Sequence, residues 1–181
     1  GVQWLRDKIK IIKKASDTEK IIKSLKSNNG IYLVPAFTGL GAPHWAANAR
    51  GILSGLTRDT GPKEIVRATV ESVAYQTHDL FEAMKNDGLK PKIIKIDGGM
   101  VKNNWFSQFL ADIVNIKVLR PAVDETTALG AAFMAGLQIG IYKSLKDIAK
   151  NWQVDRTFHP KMKPSNRKKL ITGWDKAIKK T

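Results

Sequence analysis

Asp97, Gly98 and Gly99, with the amides Asn103 and Asn104 a few positions on, are the residues whose types and spacing most suggest chemistry. Adjacent glycines let a backbone pass close to a ligand and adopt positive φ, both of which a β-carbon penalises. If a helix begins just beyond them, its first free N–H groups favour a phosphate or another anion at the same place. The pattern strand-Asp-Gly-Gly-helix also describes a plain tight turn, so on local grounds a nucleotide-facing role and a purely structural one both stand. Asp97 suits the turn itself, because aspartate accepts neighbouring backbone N–H bonds.

The flanks fit such a junction. Lys92 to Ile96, with Ile93, Ile94 and Ile96 as β-branched mass and Pro91 before them, predict a buried strand. Asn103 or Asn104 can cap a following helix whose apolar residues Trp105, Phe106, Phe109, Leu110 and Ile113 recur at spacings of three and four.

Other chemistry has little support. The three histidines, His44, His78 and His159, form no pair at metal-ligand spacing, which assigns them to surface or packing roles. With no cysteine, disulfides and thiolate metal sites are excluded, which is compatible with a reducing compartment. A chain of 181 residues, 43% hydrophobic and 8% aromatic, can bury a core and is not disordered. No apolar run approaches the roughly 20 residues that span a bilayer, and charges occupy the place of a signal peptide's apolar region, so a cytoplasmic protein without membrane contact is expected. The net charge of +15 invites a nucleic-acid reading. The lysines are spread along the chain without interleaved aromatics, however, so they read as a solvated face and no specific nucleic-acid binding is expected.

Along the chain, helices and strands alternate, which predicts an α/β layer. Val2, Leu5, Ile9 and Ile12 predict an opening amphipathic helix, and entry into it directly from Gly1 suggests a fragment. Ser16 with Glu19 predicts a capping box for a short second helix, stopped by Asn28, Asn29 and Gly30. A strand over Ile31 to Val34 precedes a Gly- and Pro-rich loop from Pro35 to Gly51, long enough to expect a function. A strand near Ile52 to Leu56 leads to Gly61 and Pro62, which open a long helix ended by Asp87 and Gly88. Val118 and Leu119 form a strand ended by Pro121. Glu125 to Gly140 reads as a helix whose small residues, Ala128 to Gly136, allow close approach of another backbone or a ligand. Ser144 and Asp147 open a short helix, Trp152 to Phe158 is extended, and Ser165 to Lys179 forms a basic helix with Leu170, Ile171, Trp174 and Ile178 inward.

Taken together, VQWLRD, YLVPAFTGLGAPHW, GLTRDTG, RATVESVAYQTHDL, IDGGMVKNNWFSQFLADI and RPAVDETTALGAAFMAGL resemble the C-terminal half of the glycerol kinases, in the FGGY family of carbohydrate kinases. Gly51, Gly55, Leu56, Glu64, Ile65, Ala68 and Glu71 match a signature stretch of that family, and GLGAPHW and AYQTHDL favour glycerol kinases over xylulose or gluconate kinases. The resemblance implies an actin-like ATPase, ribonuclease H-like lobe, with residues 1–181 as the C-terminal nucleotide-binding domain of a two-lobed kinase. It places Gln3, Gly99 and Asn103 at ATP/ADP contacts, with Gly98 as an accessory of the turn. It implies Mg²⁺ with the nucleotide, glycerol held mainly by an N-terminal lobe, and a homo-oligomer in the full-length enzyme. The catalytic base and phosphate loops of the family precede this portion, so no residue here, Asp97, Asp112 and Glu71 included, is assigned as catalytic, and the lobe alone is expected to be inactive. Another FGGY sugar kinase, or a non-catalytic interaction domain, is the alternative. Ala46, Ala47 and Asn48 stand where the family commonly has Asp-Pro after the tryptophan, a loss of a stiffener that predicts a looser loop.

Overall fold

The computed structural model describes residues 1–123 and 126–181. Its helices are α1 (Val2–Asp7), α2 (Asp17–Lys23), α3 (Pro62–Asn86), α4 (Asn104–Val114), α5 (Thr126–Gln138), α6 (Leu145–Lys150) and α7 (Pro164–Ile178). Its strands are β1 (Tyr32–Val34), β2 (Ile52–Ser54), β3 (Ile93–Lys95), β4 (Lys117–Pro121) and β5 (Val154–Phe158). β1 and β2 pair antiparallel. β3 and β4 run parallel, joined through α4 as a strand-helix-strand crossover, and β5 adds antiparallel to the other side of β4.

The long helix α3 is the spine. Pro62 starts it where a missing N–H does no harm, and Glu64 Oε2 accepts the Gly61 N–H at 3.0 Å. α4 and β1 pack against it, and the core gathers around Tyr75. The Tyr75 ring stacks on Trp174 of α7 at 5.3 Å and meets Tyr32 and Phe109, each at 5.7 Å. Glu71, one turn before Tyr75, is fully buried; its carboxylate accepts Arg67 Nε at 2.7 Å and the Tyr75 hydroxyl at 3.0 Å. Burial pushes the Glu71 carboxyl above the usual carboxylate range against the pull of Arg67 and Tyr75. This residue therefore serves the core.

The signature residues have local physical reasons. Gly55 sits at φ +91 hard against the Gly30 carbonyl, a place where a β-carbon does not fit. Glu64 caps α3, and Ala68, 1% exposed, packs in a small cluster with Ile31 and Leu33.

Several expectations need correction. α1 stops at Asp7: the Ile9 N–H returns to Trp4 O at 3.2 Å and Lys10 turns left-handed, so Ile9 is exposed and Ile12 reaches the core from outside the helix. The Ser16/Glu19 capping box does not form. Ser16 is helical and its side chain caps nothing, while Glu19 accepts the distant Asn104 N–H and pairs with Lys23. α2 ends at Lys23, and Asn29 and Gly30, both at positive φ, instead turn the chain into β1. β3 is an edge strand rather than a buried one, with Ile93 45% exposed, because among the described residues β4 is its sole strand neighbour. The small residues Ala128, Ala131, Ala132 and Ala135 of α5 face solvent, which leaves that surface open to the close approach the sequence allows, while Gly136 is covered by the Tyr142 ring. Glu125 lies outside the described residues.

The loop after β1 carries its own bonds despite its altered sequence. Leu40 N–H donates to Ala46 O at 2.8 Å, Trp45 N–H to Gly41 O at 2.9 Å, and Arg50 Nη1 to Ala49 O at 2.8 Å. His44 Nε2 lies 2.9 Å from Asp79 Oδ2 of α3, and the Trp174 indole N–H donates to the same oxygen at 2.8 Å. Burial opposes ionisation of Asp79, but hydrogen bonds from His78, Trp174 and His44 outweigh it and hold the carboxyl below its ordinary range. His44 and His78 thus stand beside Asp79, while His159 is exposed. Among the described residues no helix is long and apolar enough to cross a membrane.

Candidate functional site

The residues between β3 and α4 form the turn that the glycine pair predicts. The Ile96 N–H closes the strand on Leu119 O at 3.0 Å, and the chain then folds back at Gly98, whose φ of +92 is open to glycine far more than to other residues. Asp97 Oδ1 accepts the Gly98 N–H at 2.6 Å, and Asp97 Oδ2 accepts the Thr126 hydroxyl at the start of α5. Both carboxylate oxygens are engaged, so Asp97 organises the turn. Gly99–Lys102 makes one 3₁₀ turn, and Asn103 caps α4 by accepting the Phe106 N–H at 2.9 Å.

The two glycines differ in what they supply. Gly99 has no positive φ; a β-carbon there, as at Gly98, would meet nothing within 4 Å. Gly98 is thus needed for backbone shape, whereas Gly99 keeps the space above the turn open.

The turn is held from behind by residues distant in sequence. Arg120 of β4 donates from Nη1 to Val101 O at 2.9 Å and to Asn104 Oδ1 at 3.0 Å, while its Nε bonds Asp155 of β5 at 2.7 Å. From α2, Glu19 Oε2 accepts the Asn104 N–H at 3.3 Å, and the buried Thr18 hydroxyl accepts Asn103 Nδ2 at 3.3 Å. Sequence reasoning missed Thr18, Glu19 and Arg120, since pairs 85 and 16 residues apart leave no periodic trace.

Gly98, Gly99 and Asn103 therefore share one braced turn with open space beside it. Gln3 stands apart, exposed in the first turn of α1, and among the described residues no hydrogen bond joins it to that turn. No group of three or more His, Asp or Glu side chains among the described residues is arranged to hold a metal ion.

A helix-flanked sheet with a glycine turn at the strand end is the C-terminal-lobe architecture of the sugar kinases, an actin-like ATPase fold. Residues 1–139 match the FGGY family of carbohydrate kinases, C-terminal domain, and the chain belongs to that family. Over 180 residues it is 54% identical to glycerol kinase 1 of Pseudomonas aeruginosa, covering 99% of this chain and 36% of that protein. It is 50% identical over 180 residues to a glycerol kinase of Clostridium botulinum, covering 99% of this chain and 36% of the relative. A crystal structure of Plasmodium falciparum glycerol kinase with ADP superposes with a TM-score of 0.89 at 38% identity, over 100% of this chain and 36% of that one. A Lactobacillus acidophilus xylulose kinase, at 24% identity and a TM-score of 0.78 over 94% of this chain and 34% of its own, shares the fold. The chain thus spans little more than a third of the length of the relatives it matches.

Proposed function

We propose that residues 1–181 are the nucleotide-binding C-terminal lobe of a two-lobed glycerol kinase, a cytoplasmic enzyme that transfers the ATP γ-phosphoryl group to glycerol, giving glycerol 3-phosphate and ADP. The observation that carries this reading is the vacant space above Gly99, held next to the capping amide of Asn103 on a turn that Arg120, Thr18 and Glu19 keep rigid. In this reading the backbone at Gly98 and Gly99 lies along the nucleotide. Asn103, fixed by its bonds to Phe106 and Thr18, presents its amide, and Gln3 approaches from α1.

Phosphoryl transfer is dominated by positioning and by electrostatic stabilisation of the moving charge. This chain does the first for the nucleotide's base and sugar. Of the carboxylates that the sequence singles out, Asp97, Glu71 and Asp112 are each engaged within the fold, and in this reading the group that takes the glycerol proton comes from the other lobe. Mg²⁺ would neutralise phosphate charge when bound. No group of three or more acidic or histidine side chains among the described residues is arranged for it, and in this reading the other lobe supplies its protein ligands.

The test is turnover. The purified 181-residue chain, free of host kinase, should show no glycerol-dependent ATP consumption, and adding a separately produced N-terminal glycerol kinase lobe should restore it. Turnover by the chain alone would overthrow the division of labour. A restored activity that prefers another polyol or sugar over glycerol would move the protein to a different branch of the family.

A further inference from the structure

A cavity of about 590 Å³ opens on a different side of α4, between the loop 26–30, the first turns of α4 and the N-terminal half of α7. None of Gln3, Gly98, Gly99 or Asn103 lines it. Its volume is that of a small-molecule site.

Two features of its lining point to a ligand. The first is Arg67, only 9% exposed yet on the cavity wall. Its Nε is bound to Glu71 and its Nη1 donates to Leu25 O at 2.9 Å, but Nη2 has no protein acceptor among the described residues. A guanidinium fixed by two bonds, with its remaining donors turned to a cavity, is a preorganised anion contact. The second is Trp105, which stacks on Phe109 at 4.8 Å, lies 5.1 Å beneath the Arg67 guanidinium carbon, and has an indole N–H that finds no acceptor among the described residues. Trp105, Phe109, Met162 and Leu170 give the cavity an apolar wall.

The surrounding charge has the matching sign. Lys26 and Lys169 stand on the rim, and neither is ion-paired among the described residues. Asp112, the acid on the wall, turns Oδ1 to the Met162 N–H at 3.1 Å and to Gln108 Nε2 at the same distance. Donors are in excess and apolar surface adjoins them, which selects a ligand with an anionic head and a flat uncharged body.

We infer that this cavity is a second ligand site, separate from the nucleotide turn, for a small organic anion whose phosphate or carboxylate head meets Arg67 and the Trp105 N–H while its ring lies on the apolar wall. Sites of this make-up recognise head and body together, so neither alone should bind well.

The probe is phenyl phosphate, with benzoate as the carboxylate arm and inorganic phosphate and phenol as the separate halves. Binding is read from the indole ¹H–¹⁵N resonance of Trp105, assigned by its loss in Trp105→Phe. Phenyl phosphate, benzoate or both should move that resonance with a Kd below about 1 mM. Each half alone should leave it in place at the same concentration. Lys169→Glu, on an exposed rim position, should weaken binding about threefold or more with an unchanged melting temperature. No movement with either whole probe at about 10 mM, an equal response to inorganic phosphate alone, or an unaltered affinity in Lys169→Glu would each overturn the proposal. ADP added to the same sample reports separately on the nucleotide turn through the Gly99 and Asn103 amides, so failure at one site is distinguishable from failure at the other.

Discussion

Gly98 and Gly99 are neighbours with opposite requirements, and substituting them separately tests whether the turn is built for itself or for a ligand. Gly98 sits at φ +92, where an L-residue is strained, so Gly98→Ala should lower stability by about 1–2 kcal/mol. For a chain of this length that is a fall in melting temperature of about 2–8 °C by circular dichroism. Gly99 has no positive φ, and an added β-carbon meets no protein atom within 4 Å. Gly99→Val should therefore change stability by less than about 1 kcal/mol, because the loss of chain freedom in the unfolded state offsets any local crowding. Its branches enter the space given to the nucleotide, so ADP affinity, measured by calorimetry or by titrating the Asn103 amide, should fall about tenfold or more, equivalent to about 1.4 kcal/mol. Unchanged ADP affinity in a folded Gly99→Val protein would refute the assignment of that space to the ligand. A large fall in its melting temperature would refute the view that Gly99 is free of its own fold.

At the helix cap, Asn103→Asp keeps the acceptor for the Phe106 N–H but loses the amide, so it should retain stability within about 0.5 kcal/mol while weakening ADP binding; Asn103→Ala should do both kinds of damage, at about 1 kcal/mol for the cap, measured by urea unfolding. Gly173→Ala drives a β-carbon into the hydroxyl end of Tyr32, whose ring packs against Tyr75, and should cost about 1–3 kcal/mol in the same assay. Asp79 has its carboxyl held low in the folded state, so its contribution is present above the unfolded value of about 3.9 and is lost as pH falls through the lower folded value. The stability gap between the parent chain and Asp79→Asn should accordingly be constant near neutrality and shrink below about pH 4; a gap that widens in acid would reverse the sign of the argument.

The α3 spine, the strand-glycine-helix junction and the cap at Asn103 were legible in the sequence because each is written in neighbouring residues: proline at a start, glycines at a turn, an amide before a run of period 3.6. Errors arose where a local pattern had a distant competitor. Ser16 and Glu19 have capping-box spacing, but Glu19 has a better partner in the Asn104 N–H, 85 positions away. Ile93 reads as core because β-branched residues usually are, but hydrophobicity does not reveal that β3 is at a sheet edge. For the turn, types and spacing supplied the glycine pair and a cap at Asn103 or Asn104, the family resemblance alone supplied a nucleotide role for Gln3, Gly99 and Asn103, and the braces Thr18, Glu19 and Arg120 required three dimensions.

The carboxylate of Asp79 receives two segments at once, the loop through His44 and the terminal helix through Trp174, which lies seven positions before the final residue, Thr181. The end of the chain is consequently wired to a loop more than a hundred residues earlier. A deletion that removed Trp174 would strip the Tyr75 ring of its stacking partner and leave the carboxylate serving the loop without its indole donor. Shortening the 181-residue chain within α7 is thus a way of loosening the His44 loop, more than a hundred positions away.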